Sequence, residues 1–156
     1  MQRWTNSEPL SMPLSFSQVS RLDLEFINLR RDVASFTAYV FLNAEKLPRN
    51  AGREHDRCAG SFSVFAQEEC WGGAGHCDWD RGAVSEFDST PPHHLAPINV
   101  LMDVTSTIRV LGDPAELSVT VHAASRADPR ATRGVIAFER LEARAYQRST
   151  ELAIQG

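Results

Sequence analysis

The most constraining feature of this sequence is a strict alternation late in the chain. Leu117, Val119 and Val121 alternate with Ser118, Thr120 and His122. A period of two puts the apolar side chains on one face of an extended chain and the polar ones on the other. A half-buried β-strand meets that pattern and a helix does not. The same period recurs in short bursts. Leu22, Leu24 and Phe26 alternate with Asp23, Glu25 and Ile27. From Phe36 to Leu42, Phe36, Ala38, Val40 and Leu42 share one face, and Thr37, Tyr39 and Phe41 share the other, so both faces are expected to be covered. Phe62 and Val64 alternate with Ser61, Ser63 and Phe65, and Val100–Val104 reads as a further strand. Val135 to Tyr146 reads as the last strand, bulged where the apolar phase slips between Phe138 and Leu141. Helical signal is confined to Ser106–Leu111, with Thr105 as its cap and Gly112 as its stop. These elements predict an all-β fold, a single β-sandwich or jelly-roll-like barrel with one long irregular loop and a short helical turn.

The chain has 156 residues, which suits one domain. Residues 1–20 read as an N-terminal arm or tail, 21–146 as the sandwich and 147–156 as a C-terminal tail. With 42% hydrophobic residues the sequence can build a core. No apolar run approaches the roughly 18–20 residues of a membrane span. The formal net charge of −4 argues against a nucleic-acid partner. The opening Met1–Pro9 is polar and holds Glu8, so no secretory signal is read. The expected location is cytoplasmic, or outside the cell by export with a partner.

Chemistry-bearing side chains gather in the irregular stretch from Gln67 to about Asn99, which is longer than compact domains usually leave unstructured. Cys70, His76 and Cys77 stand close together, and His93 and His94 complete a set of candidate metal ligands if the loop folds back. Thiolate and imidazole suit Cu(I) or Zn. The Cys-x6-Cys spacing is not that of a zinc ribbon. A Cys70–Cys77 disulfide and inert thiols are the alternatives, and the odd count of three cysteines leaves at least one unpaired. His55 is expected to pair with Asp56 or Glu54, and His122 to lie on a solvated strand face. No nucleophile elbow, His-Glu-x-x-His helix or phosphate-binding loop is present, and Asp103, Glu139 and Glu142 form no evident acid/base pair. No catalytic residue is assigned.

The order of the segments resembles the C-terminal domain of tyrosinases and polyphenol oxidases. Tyr39-Val40-Phe41-Leu42-Asn43 resembles its early strand ending in Asn, and Ala59-Gly60-Ser61-Phe62-Ser63-Val64-Phe65 its Ala-Gly-Ser-Phe strand. Leu101-Met102-Asp103-Val104-Thr105, with Ile108 after it, is similar to its strand and short turn. Leu117–Val121 and Ile136–Leu141 are similar to its next and closing strands. The Gly-rich Cys70–Cys77 stretch, then Phe87-Asp88 and Pro91-Pro92-His93, resembles the bacterial branch of that domain. At the position of the plant-type Lys-Phe-Asp-Val signature only Val40 agrees, and Cys58 replaces an aromatic residue.

The resemblance implies a β-sandwich that packs over a type-3 copper site, shields it and can aid its maturation. The family's oxidase chemistry belongs to a helical domain with two sets of three His. Five His in a β-patterned chain do not supply it. The expectation is therefore a non-catalytic module, without a cofactor in isolation, that partners a tyrosinase-like copper oxidase domain or subunit. Tyr39, Phe41, Trp71, Trp79 and Phe87 are its candidate docking side chains. Two other readings stand beside it: a Cu(I) carrier using Cys70, His76 and Cys77, and a stand-alone sandwich binding a ligand on its aromatic loop.

Overall fold

In the computed structural model the described residues are 2–5, 9–11, 19–44, 46–65, 96–112, 114, 116–125 and 136–147. In chain order the strands are β1 (Gln2–Thr5), β2 (Leu10–Ser11), β3 (Val19–Leu29), β4 (Phe36–Leu42), β5 (Cys58–Val64) and β6 (Ile98–Asp103). The helix α1 (Thr105–Leu111) follows, then β7 (Glu116–Leu117), β8 (Val119–Ser125) and β9 (Arg140–Gln147).

The strands form an antiparallel sandwich. One sheet has the order β1-β8-β4-β5 and the other β6-β3-β9, with β2 and β7 as a small separate ribbon. Of the two architectures expected from the sequence, the sandwich is the one formed, and the described strands do not close into a barrel. Period two explains the core. Leu22, Leu24 and Phe26 of β3 face Phe36, Ala38, Val40 and Leu42 of β4 and Val119, Val121 and Ala123 of β8. Phe26 lies at the centre, its ring 5.1 Å from Phe62 and 5.2 Å from Phe138. The region read as an N-terminal arm lays β1 along β8 and β2 along β7.

Three local expectations change. Thr105 is not the helix cap. Val104 holds the cap position, the Asp103 carboxylate accepts the Thr105 N–H (2.9 Å), and the Thr105 hydroxyl accepts the Leu22 N–H (2.9 Å). Gly112 ends the helix as expected, at φ 82°, a conformation that favours glycine. The phase slip between Phe138 and Leu141 is not a bulge within the last strand. β9 begins at Arg140, and before it the chain is held by Glu139 N–H to Ile27 O (2.9 Å). The irregularities lie in β3, between Val19 and Arg21 against β9 and between Phe26 and Leu29 against β6, where Asn28 takes a positive φ of 53°. The alternating run from Leu117 also breaks, because Ser118 leaves the strand to bond Asn43.

Candidate functional site

Asn43, at the end of β4, ties the two parts of that broken run together. Its N–H donates to Ser118 O (2.9 Å), its Oδ1 accepts the Ser118 N–H (2.7 Å) and its Nδ2 donates to Glu116 O (3.2 Å). The positive φ of 46° turns the chain away from β4 into the 43–57 connection, a conformation asparagine tolerates better than most residues. The connection then folds back over the outer face of the four-stranded sheet, and Leu42 N–H donates to Arg57 O (3.0 Å) to hold its return.

This fold-back corrects two sequence expectations. Phe41 is not an exposed docking side chain. It is fully buried in a second apolar cluster with Ala44 and Ala51, against which Tyr39, Leu47 and Cys58 are partly buried. His122 is not solvated. It is 2% exposed, with its ring 5.1 Å from Phe41. The His55 ring meets the same phenyl edge-on at 5.6 Å. The Arg57 N–H donates to His55 Nδ1 (3.1 Å), and the carboxylate of Asp56, one of the two partners expected from the sequence, stands 3.0 Å from the same nitrogen. Beside them Asn43, Ala44, Lys46, His55, Asp56 and Arg57 line an open cleft of about 410 Å³.

Tyr39, next to this cluster, is half-buried. Cys70, Trp71, His76, Cys77, Trp79, Phe87, His93 and His94 lie outside the described residues. Among the described residues no group of three or more His, Cys, Asp or Glu is placed to hold a metal ion. Cys58 is half-buried, and its thiol donates to Gly60 O (3.5 Å). Burial pushes the thiol up from its ordinary pKa, which disfavours the thiolate needed for a nucleophile or metal ligand. No helix among the described residues is long and apolar enough to cross a membrane.

The outer face of the three-stranded sheet is a lattice of charge that the sequence reading missed. Asp23 and Glu25 of β3 are 1% and 8% exposed although they face away from the core. Arg21 bonds Asp23 (2.7 Å) and reaches Asp103 (3.8 Å), and Arg144 pairs with Glu25. Arg140 bonds both Glu139 and Glu142 at 2.7 Å. Glu139 and Glu142, in which the sequence shows no acid/base pair, are thus held by Arg140, and Asp103 by the Thr105 N–H (2.9 Å), contacts that suit structure better than proton transfer. The missed signal was the period-two charge order Arg21-Asp23-Glu25 and Arg140-Glu142-Arg144.

These contacts set a pH dependence. The Thr105 hydroxyl and N–H, then Arg21 and Arg109, hold the Asp103 carboxyl below its usual range. Asn28 and then Arg140 do the same for Glu139, and Arg140 for Glu142. A carboxyl with a depressed folded pKa contributes stability above its unfolded value, about 4, and that stability is lost as pH falls through the folded value. Urea midpoints are therefore expected to carry the full contribution of these groups, unchanged with pH, between about pH 6 and 8 and to drop below about pH 4. Asp103→Asn should flatten the acid limb, and an unchanged limb in that variant would show that Asp103 is not so held.

No family model matches the chain, and no curated protein matches it. Solved structures do. A recombinantly expressed latent aurone synthase (polyphenol oxidase), co-crystallised with hexatungstotellurate(VI), superposes with a TM-score of 0.54 at 11% identity. The match covers 94% of this chain and 24% of that one. Latent aurone synthase from natural source gives 0.54 at 10% identity, over 94% and 25% of the two chains. The likeness is one of fold. The chain spans about a quarter of the length of the polyphenol oxidases it matches.

Proposed function

We propose that this chain is a non-catalytic shielding module that docks on a tyrosinase-like type-3 copper oxidase, covers its copper site and assists its maturation. One observation carries the reading. The shared fold takes in 94% of this chain but only 24% of a polyphenol oxidase, so this chain has a counterpart to a part of such an enzyme. The order of strand motifs in the sequence supports assigning that part to the C-terminal β-sandwich. The sequence holds five His, fewer than the two sets of three that the resemblance assigns to the copper domain. With Phe41 internal, Tyr39 and the aromatics Trp71, Trp79 and Phe87 remain as the candidate contacts.

The test is co-expression of the full chain with a copper oxidase encoded beside it. The expected result is a complex that co-purifies and turns over a diphenol roughly tenfold or more slowly than the oxidase alone, about 1.4 kcal/mol of added barrier. Proteolytic removal of this chain should restore the rate. An oxidase that matures with full copper and full activity in its absence, and forms no complex in its presence, would overturn the proposal.

A further inference from the structure

The outer strand of the three-stranded sheet is complementary to itself. β9 pairs with β3 along one edge, and among the described residues no strand lies beyond it. Its eight residues contain neither Pro nor Lys. An edge of that length offers a row of backbone donors and acceptors to another chain unless something blocks it. The register with β3 sets Tyr146, Arg144, Glu142 and Arg140 level with Arg21, Asp23, Glu25 and Ile27. The outer row of the edge therefore reads Arg140, Glu142, Arg144, Tyr146.

Place a second copy antiparallel to this edge, with Ala143 opposite Ala143. Each Glu142 then stands against an Arg144 of the second copy, so two opposite-charge pairs flank the two-fold axis. Each Arg140 stands against a Tyr146, a contact of the kind Arg21 already makes at 6.0 Å from the Tyr146 ring centroid. The register is selective. Moving the axis one residue onto Glu142 sets Glu142 against Glu142 and Arg140 against Arg144. Moving it onto Arg144 sets Arg144 against itself. Like charges directly opposite destabilise a strand pair and opposite charges stabilise it. The other edge of this sheet, β6, has no such pattern, since its outer row is Asn99, Leu101 and Asp103, without a cation.

We propose that two copies of this chain associate through their β9 edges, antiparallel about Ala143, joining the two three-stranded sheets into one. This assembly is independent of the oxidase reading. Sedimentation velocity of the full chain over a wide concentration range is expected to show a monomer–dimer equilibrium that weakens as salt is raised. Glu142→Arg sets two arginines face to face across the axis, and the dimer should weaken roughly tenfold or more. Glu142 is a surface side chain, so circular dichroism should report an unchanged fold. The register is checked with Arg144→Lys, which keeps the charge. A carbodiimide should then join Lys at 144 to Glu142 between copies, recognised in a mixture of isotopically light and heavy protein. A monomer at every concentration, a dimer indifferent to Glu142→Arg, or a dimer without that cross-copy product would each overturn the proposal.

Discussion

Phe26→Ala is expected to cost about 3–5 kcal/mol of folding stability. Phe26 is fully buried on the core face of β3. Its ring meets Phe62 of the opposite sheet at 5.1 Å and Phe138, just before β9, at 5.2 Å. Truncation removes the apolar transfer term and leaves a void where the two sheets meet. The surroundings are poorly able to close that void, because Phe62 and Phe138 are each fixed by a different part of the chain. A domain of this size has about 5–15 kcal/mol to lose, so the variant should show a much lower urea midpoint at unchanged slope. Phe65→Ala is the control. Phe65 is 87% exposed, and its truncation should change stability by less than about 0.5 kcal/mol. A loss below about 1 kcal/mol at Phe26 would mean that the sheets do not pack around this ring.

The elements that sequence alone resolved are those whose pattern is local. Phe36–Leu42 carries its own bounds, because both of its faces are apolar and charge and polarity begin just outside it. The helix stop at Gly112 is equally local. What escaped depends on partners far away in sequence. Alternation shows that His122 shares a face with Thr120 but not what lies above that face, and the cover comes from the polar-looking 43–57 connection. Glu25 looks like a solvated strand carboxylate until β9 brings Arg144 beside it. The resemblance to polyphenol oxidases rests on the order of short motifs, and the likeness to solved structures, at 11% identity, is one of fold. The candidate ligands from Cys70 to His94 lie outside the described residues, so that part of the reading stands on spacing alone.

Phe41 decides between two sequence-level roles for the second face of β4. As a docking residue it would be exposed, and Phe41→Ala would weaken a complex while leaving the free chain as stable as before. Its side chain is instead fully buried between the rings of His55 and His122, with Ala44 and Ala51 beside it. Phe41→Ala is therefore expected to cost about 3–5 kcal/mol in the isolated chain. The loss should have a local signature as well, because this ring is the main apolar anchor of the 43–57 connection. The Leu42 N–H bonded to Arg57 O and the Cys58 N–H bonded to His55 O should exchange with solvent faster in the variant than global unfolding requires. Amides of β3, in the other sheet, should follow the global change alone. Phe41→Leu keeps most of the volume and should lose less than about 1.5 kcal/mol. If both variants match the parent in urea midpoint and in exchange at Leu42 and Cys58, the connection is not anchored by this ring, and the second face of β4 returns as a surface for a partner.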